Sequence, residues 1–433
     1  MIRIIGAGLA GSEAAYYLGS RGVEVELVDM KPQKFTPAHE SANFGELVCS
    51  NSLKSDDIWG NACGLLKEEM RRLGSLTMTA AEVSRVPAGG ALAVDREKFS
   101  AYITEKLRAC PHIHIVCEEV TSLPEQGVIA TGPLTGGALY KDIEEKLGAS
   151  LHFYDASAPI VAADSIDLDR TFTGDRYGKG TGDYINCPLT KEEYDAFVEA
   201  LTSAERATLH DFEKGEIFEG CMPLEVMASR GKDTLRFGTF KPVGLADESG
   251  VRPYAVLQLR KENEAGTSYN LVGCQTNLKF GEQKRVFSLI PALAHAEFER
   301  YGVMHRNTYL PADRLLSNDF SLKSNPDLFF AGQITGVEGY VESAMSGLFV
   351  GIHIWNRLHG KISEAPEDTC VSGALARYIS TENKDFQPMN ANYGILRQSV
   401  CVRDKKEKKR RLGAIALEEI ERFKATIYGE GGK

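Results

Sequence analysis

Short apolar runs and a glycine-rich turn alternate over the first thirty residues. The pattern predicts a strand at 2–5, a helix at 12–21 and a second strand at 23–28. Similar short apolar runs, each followed by glycines, recur at 112–117, 127–131 and 328–331. We therefore predict an α/β fold with a Rossmann-like, nucleotide-binding parallel sheet that is assembled from both ends of the chain.

The pattern changes in the middle of the chain. A glutamate-rich amphipathic stretch is followed by three segments typical of strands; the four segments are 190–212, 236–245, 254–260 and 269–275. The change indicates an α+β domain inserted into a glutathione-reductase-like, discontinuous one. The predicted boundaries are 1–180 and 325–433 for the discontinuous nucleotide-binding domain, and 181–324 for the inserted domain.

The first turn has the residues that a dinucleotide site requires. It reads Gly6-Ala7-Gly8-Leu9-Ala10-Gly11. Glycines at these positions suit a tight turn, a close approach to a pyrophosphate and close packing of the following helix. Asp29 ends the second strand, where a carboxylate accepts hydrogen bonds from ribose hydroxyls. The alternative, ordinary turn glycines beside a charged strand end, explains the combination less well.

A second glycine-rich turn follows the last apolar run. Its candidate cofactor-binding residues are Gly332, Gln333, Gly336, Val337, Glu338 and Gly339. It leads into a helix of small residues, as expected where a remote segment returns to cover a flavin, so we predict FAD. Many flavoproteins carry Asp where this chain has Gln333. No further Gly-x-Gly-x-x-Gly motif follows a strand, so NADPH or NADH is expected to dock transiently at the flavin.

Composition limits the partners. No stretch approaches the roughly 18 apolar residues of a membrane helix, and the chain enters a strand at once, without room for a secretion signal. We therefore expect a soluble, cytoplasmic protein with no membrane partner. The net charge of -10 speaks against binding to nucleic acid, although a basic face can exist on an acidic protein.

The nine cysteines are scattered and never spaced as Cys-x-x-Cys. This spacing argues against both a disulfide framework and a metal site of the zinc type. Cys49 lies in a polar segment after the second strand, near Lys54, where a thiol can be activated. Cys221 lies in the inserted domain, upstream of Arg230 and Arg236. For a lone cysteine, a small buried apolar residue is the commoner role.

Nearly the whole chain resembles the TrmFO family, the methylenetetrahydrofolate- and FAD-dependent tRNA (uracil-5-)-methyltransferases. The resemblance rests on the segments 6–15, 46–54, 176–180, 218–223, 237–245, 301–309 and 331–343. It implies that Cys49 and Cys221 are catalytic, that FAD, 5,10-methylenetetrahydrofolate and a nicotinamide reductant take part, and that the T-loop uridine of tRNA is the substrate. The chain departs from the family pattern at 393–395, which reads Tyr-Gly-Ile, and over the residues that follow.

The implied chemistry assigns roles to the two thiols. A thiolate that adds to carbon 6 of uracil makes carbon 5 nucleophilic, and a base must then remove the proton from carbon 5. Our hypothesis is that Cys221 attacks carbon 6 and that Cys49 is the base or the flavin-side partner; the sequence leaves the order open. The target base must leave its stack. Candidate contacts are Arg176, Tyr177, Lys179, His305, Arg306 and Tyr340, with the basic run at 405–411 as a further candidate.

Three alternatives stay open. The same chemistry can act on a ribosomal RNA uridine. A flavin thiol–disulfide oxidoreductase is disfavoured, because such enzymes keep two cysteines close in sequence, whereas Cys49 and Cys221 lie far apart. A non-catalytic RNA-modification partner that retains FAD is disfavoured by the presence of both cysteines.

Overall fold

The computed structural model describes residues 1–36, 38–148, 151–178, 180–207, 216–217, 222–246, 250–361, 364–397 and 400–428. Of residues 151–155, 216–217 and 305–306 it describes the backbone only. Cys221 and Lys179 lie outside the described residues.

Within this part of the chain the strands are β1 Ile2–Ile5, β2 Val25–Asp29, β3 Ser52–Ser55, β4 Arg85–Val86, β5 Ala91–Val94, β6 Ile113–Cys117, β7 Gly127–Ile129, β8 Leu151–Ala156, β9 Ile160–Ala162, β10 Phe172–Thr173, β11 Ile185–Leu189, β12 Glu216–Ile217, β13 Ala255–Lys261, β14 Ser268–Leu271, β15 Phe298–Arg300, β16 Met304–Tyr309, β17 Ser321–Leu322 and β18 Asn325–Phe330. The α-helices are α1 Leu9–Gly19, α2 Ala62–Arg72, α3 Leu76–Val83, α4 Arg96–Ala109, α5 Gly137–Leu147, α6 Lys191–Ser203, α7 Leu224–Ser229, α8 Thr234–Phe237, α9 Phe280–Phe287, α10 Ala312–Leu315, α11 Tyr340–Leu358, α12 Val371–Ser380 and α13 Lys405–Tyr428.

The main sheet has the strand order β17-β18-β7-β1-β2-β6. Its five strands from β18 to β6 are parallel, and only β17 runs antiparallel to its neighbour. Because β18 comes from the C-terminal part and pairs with β7, the sheet is built from both ends of the chain. The predicted α/β fold with a Rossmann-like sheet is therefore confirmed.

Two helices pack closely beside this sheet. Where α1 and α11 cross, α11 has glycines in place of side chains. A Cβ at Gly347 would overlap the backbone of Ala10, and one at Gly351 would lie 3.1 Å from the Tyr17 side chain. Helix α11 is buried over most of its length. The close approach brings the start of α11, and the turn before it, next to the first glycine turn.

The middle of the chain forms an antiparallel sheet with the order β10-β11-β13-β14-β9-β15. Helix α6 covers it and buries Tyr194 and Phe197. A capping box fixes the start of α6, because the side chains of Thr190 and Glu193 each accept the other's backbone N–H. The domain boundaries stay a prediction; β9 and β10 join this sheet from the N-terminal side of residue 181.

One predicted strand is wrong. The segment 236–245 contains the end of α8 and a series of turns, in which the N–H of Phe240 donates to the carbonyl oxygen of Leu235 at 2.8 Å and Gly244 has a φ of +86°. Pro242 and two glycines favour turns over a ladder. The strands predicted at 254–260 and 269–275 are confirmed as β13 and β14. No helix in the described ranges has both the length and the apolar character needed to span a bilayer.

Candidate active site

The first glycine turn is shaped by its own backbone. Gly6 has a φ of +100°, and a Cβ there would lie 2.5 Å from the carbonyl oxygen of Ala130. A Cβ on Gly11 would overlap the carbonyl oxygen of Gly6, whereas one on Gly8 would meet nothing within 4 Å. Helix α1 starts here without a side-chain cap, so its first N–H groups and its dipole are available to an anion.

Asp29 links the end of β2 to this turn. Its carboxylate accepts the Ala7 N–H at 2.7 Å and the Lys31 N–H at 2.9 Å. The side chain also lines the cavity described next. This placement is the one that the sequence predicted for a ribose-binding carboxylate.

A cavity of about 230 Å³ runs along the carboxyl ends of the parallel strands. It brings together the predicted site residues Gly6, Gly8, Leu9, Ala10, Asp29, Cys49, Gly332 and Gln333. The strand-end turn from Ala130 to Gly136 and the segment from Glu118 to Val120 also line it. A glycine cradle, an uncapped helix start and a strand-end carboxylate at one cavity fit FAD.

The other predicted cofactor-binding residues do not line the cavity. Ala7, Gly11, Gly336, Val337, Glu338 and Gly339 lie behind it and hold its walls in place. In the second turn the Gly332 N–H donates to the Ser346 hydroxyl at 2.6 Å, and the Gln333 amide donates to the Glu338 carboxylate. Residues 336–338 also pair with Met389, through N···O distances of 2.9 and 2.8 Å.

Cys49 lies at one wall of the cavity, in contact with Tyr340. The N–H groups of Cys49 and Ser50 lie 2.7 and 3.3 Å from the Tyr340 hydroxyl oxygen, and the Cys49 sulfur lies 2.9 Å from it. Because this oxygen accepts from the backbone, its own proton is free to point at the sulfur. Burial raises the pKa of Tyr340 well above its ordinary value, and the nearby Cys49 adds to this effect. Tyr340 therefore stays protonated and is a suitable donor to a thiolate.

Two arginines support the Cys49 loop, one partly buried and one buried. Arg96 binds Glu262 at 2.7 Å and donates to the carbonyl oxygens of Leu47 and Val48, both at 3.0 Å. Burial alone would lower the pKa of Arg96, but Glu262, with Tyr340 and Cys49, raises it above its ordinary value. The loop that carries Cys49 therefore rests on a partly buried cation.

The second arginine belongs to the inserted domain. Arg260, on β13, donates to the Asn51 side-chain oxygen at 2.8 Å and to the Ser50 hydroxyl at 3.0 Å. Asn51 is fully buried, and its amide donates to the carbonyl oxygens of Val94 and Lys261 at 3.0 and 2.8 Å. Burial lowers the pKa of Arg260. The antiparallel sheet thus holds Ser50 and Asn51, the two residues that follow Cys49.

Sequence reasoning missed Arg96, Arg260 and Asn51 and assigned Tyr340 to RNA contact, whereas it lines the cavity beside Cys49. One signal was available: Arg260 interrupts an otherwise apolar strand, and a charged residue at such a position needs a partner. Of the other RNA-contact candidates, Arg176 and Tyr177 lie between β10 and β11. Only the backbone of His305 and Arg306 is described. In the basic run, Lys409 donates to the Gly60 carbonyl oxygen at 2.9 Å.

Comparison with known proteins gives the family. A family model described as "Glucose inhibited division protein A" matches residues 1–362. The chain is 54% identical to "Methylenetetrahydrofolate--tRNA-(uracil-5-)-methyltransferase TrmFO" of Lactobacillus delbrueckii subsp. bulgaricus over 431 residues, which are 98% of each chain. It is 56% identical to the protein of that name in Desulfitobacterium hafniense, again over 98% of each chain.

The chain belongs to the TrmFO family. The resemblance noted in the sequence is thereby confirmed, and a further TrmFO protein, from Geobacter sulfurreducens, is 54% identical over 98% of this chain and 99% of its own. The structure titled "Structure of Aquifex aeolicus GidA in the form II crystal" superposes with a TM-score of 0.68 at 16% identity, over 98% of this TrmFO chain and 74% of that chain. At that identity the match supports the fold alone.

Proposed function

We propose that this protein methylates carbon 5 of the T-loop uridine of tRNA, with methylenetetrahydrofolate as the one-carbon donor and FAD as the resident cofactor. The identity of 54–56% to TrmFO relatives over 98% of the chain carries the proposal. The placement of Cys49 and Tyr340 at the wall of a dinucleotide-shaped cavity supports it.

In this proposal the two glycine turns hold FAD. The turn from Gly6 to Gly11 and the start of α1 bind its pyrophosphate, and Asp29 binds its ribose. The turn from Gly332 to Gly339 covers the flavin end. Bound FAD supplies the electrons that reduce the transferred methylene to a methyl group. Its reductant, NADPH or NADH, and a cytoplasmic location belong to the proposal as well.

The chain's own residues handle the protons and the nucleophile. Cys221 forms a bond to carbon 6 of uracil, which makes carbon 5 nucleophilic. Carbon 5 then bonds to the methylene carbon, and the bond of that carbon to its donor nitrogen breaks. The Cys49 thiolate accepts the carbon 5 proton, and the bond from Cys221 to carbon 6 then breaks. Tyr340 donates to the Cys49 sulfur and holds it ready for this step. The alternative order exchanges the two cysteines, or places Cys49 as a guard on the flavin side.

The test is methyl transfer by the purified protein. It receives methylenetetrahydrofolate, NADPH or NADH, and either a tRNA or an rRNA transcript, and the position of 5-methyluridine is mapped. We expect methylation of the tRNA T-loop, and none with Cys49→Ser or Cys221→Ser. Methylation of rRNA alone would replace the substrate, and no methylation by a FAD-loaded protein would favour the non-catalytic alternative.

A second assay fixes the order of the cysteines. An RNA that contains 5-fluorouracil traps the thiol that adds to carbon 6. We expect the covalent adduct with Cys49→Ala and no adduct with Cys221→Ala. The opposite result would exchange their roles.

A further inference from the structure

An aromatic and basic surface, which we call the Tyr177 surface, is exposed beside the antiparallel sheet. Its members are Arg176, Tyr177, Phe237, Lys241 and Val243. Tyr177 is 61% exposed and Phe237 is 84% exposed. A single exposed apolar side chain is ordinary on a protein surface, whereas several grouped in one patch indicate an interaction site.

Two sequence segments shared with the TrmFO family meet at this surface, through residues 176–178 of the first and 237–245 of the second. The N–H of Tyr177 donates to the carbonyl oxygen of Gly244 at 3.0 Å. The Tyr177 ring lies so close to Gly244 that a Cβ on the glycine would be 2.9 Å from it. The turn thus needs the bare glycine because the ring lies across it.

The backbone of Tyr177 is held in an unusual conformation. Its φ and ψ are 59° and 23°, the left-handed region that a bulky side chain rarely adopts. Such strain persists only where surrounding contacts impose it, and it is concentrated at functional positions. Here the contact to Gly244 imposes it, and the ring is left facing outward.

The cations of the surface have no carboxylate partner in the described part of the chain. Arg176 donates to the Gln258 side-chain oxygen at 2.8 Å, to the carbonyl oxygen of Val243 at 3.2 Å and to that of Lys241. All three acceptors are neutral. Lys241 forms no ion pair with any described residue, in contrast to Lys191 and Lys279, each paired with an acid at 2.6–2.7 Å. A polyanion is the partner that compensates these charges.

The surface neighbours the candidate active site through β13. Gln258 contacts Arg176, and Arg260 contacts Ser50, next to Cys49. These two positions of β13 are two residues apart, so they share one face of the sheet at a separation of roughly 7 Å. Neighbouring side chains of one strand therefore contact both the Tyr177 surface and the loop that carries Cys49.

We propose that the Tyr177 surface binds the RNA substrate: Tyr177 and Phe237 stack on unpaired bases, while Arg176 and Lys241 lie against phosphates. Stacking on exposed aromatics between unpaired cations is how proteins hold single-stranded or looped RNA. This inference rests on the proposed function, because it takes RNA to be the substrate.

The test compares RNA binding and methylation by matched variants. Tyr177→Asn removes the ring but keeps a residue that tolerates the left-handed conformation, and Phe237→Ala removes the second ring. Tyr177→Phe keeps the ring, and Phe280→Ala removes an exposed aromatic elsewhere on the inserted domain, 54% exposed. FAD absorbance and thermal unfolding confirm that each variant is folded.

We expect Tyr177→Asn and Phe237→Ala each to weaken tRNA binding by about tenfold and to raise KM with kcat nearly unchanged. Lys241→Ala should reduce the slope of log K for RNA binding against log salt concentration by about one, because one fewer phosphate contact releases counterions. Tyr177→Phe and Phe280→Ala should bind as the natural protein does.

Unchanged RNA affinity in the Tyr177→Asn, Phe237→Ala double variant, with methylation by the natural protein intact, overturns the inference and leaves the proposed function standing. A natural protein that neither binds nor methylates RNA overturns the proposed function itself. Whether the natural protein methylates RNA therefore tells failure of this inference from failure of the proposed function.

Discussion

The two glycine turns that meet at the cavity are built in different ways. The first, from Gly6 to Gly11, is fixed by the space between backbone atoms, since side chains at its first and last glycines would overlap neighbouring carbonyl oxygens. The second, from Gly332 to Gly339, is fixed by side chains and by remote segments, through Ser346, the Gln333–Glu338 contact and Met389.

The two turns are therefore sensitive to different substitutions. The backbone-determined turn tolerates no added atom at two of its positions. The other turn depends on contacts that a single distant substitution removes while its own sequence stays intact. It also leads into Tyr340 and so controls the position of Cys49. The first turn is suited to holding a cofactor and the second to connecting that cofactor with the reactive thiol.

The largest effect is expected at Gly11. Gly11→Ala places a Cβ on the Gly6 carbonyl oxygen, so the turn or the helix must shift, and we expect a loss of roughly 3 kcal/mol or more of stability together with loss of bound FAD. Flavin absorbance and thermal unfolding measure this. Gly8→Ala is the matched control, because its Cβ meets no protein atom within 4 Å; it should fold normally. Equal behaviour of the two variants would remove the distinction between the turns.

Tyr340→Phe tests the side-chain-determined turn. The variant keeps the ring but removes the hydroxyl that accepts from Cys49 and Ser50 and contacts the Cys49 sulfur. We expect FAD to remain bound and kcat to fall by about 10²-fold, the usual result of losing one well-placed donor. Alkylation of Cys49 by iodoacetamide at pH 7 should also slow, because the thiolate loses its donor. An unchanged alkylation rate would mean that Tyr340 serves packing alone.

Arg260→Met tests the loop that carries Cys49, Ser50 and Asn51, which contacts Tyr340 of the helix after the second turn. It leaves the buried oxygens of Asn51 and Ser50 without their donor, which costs about 1–3 kcal/mol. We expect a lower unfolding temperature and a reduced kcat with nearly normal FAD content. Arg260→Lys should restore part of the activity.

Arg285→Met is the control for the Arg260 variants. The Arg285 guanidinium forms a surface ion pair with the Glu282 carboxylate, at an N···O distance of 2.7 Å. An exposed ion pair contributes about 0–1 kcal/mol to stability. Arg285→Met should retain full activity. If Arg260→Met retains full activity as well, Arg260 does not position Cys49.

An effect of the same size as that of Arg260→Met is expected at Glu69, which supports the second turn from a distance. Buried Glu69 accepts the N–H groups of Val371 and Ser372 at 2.8 and 2.9 Å and so anchors α12, the helix that precedes Met389. Burial raises the pKa of Glu69 to about 7, although these hydrogen bonds oppose the rise. The folded protein therefore binds this proton more tightly than the unfolded chain.

Glu69 therefore makes the protein less stable as the pH rises. The contribution of Glu69 to stability is present below about pH 4.5, its ordinary value, and is lost as the pH rises through about 7. We expect the free energy of unfolding to fall by roughly 1–3 kcal/mol through this group between pH 5 and pH 8. Chemical denaturation of Glu69→Gln at several pH values should lack this component. An identical pH profile in the variant would contradict the assignment.

Much of the cofactor site was predictable because its requirements are local. The pattern of glycines after an apolar run predicted β1, α1 and β2 at nearly their observed bounds, and Asp29 was found because it ends the strand beside the turn. The strand expected at 236–245 was wrong because a short stretch with apolar residues also suits turns when it contains proline and glycine.

The sequence by itself determined the parallel sheet, its assembly from both chain ends, the first glycine turn and the choice of Cys49, since backbone geometry over a few residues decides the first three and family resemblance the last. Only the tertiary structure decided that Tyr340 holds Cys49 and that Arg260 holds the loop around it. These partners are 291 and 209 residues apart in the chain. Both contacts join residues that only the folded chain brings together from distant positions, so no local sequence pattern encodes them.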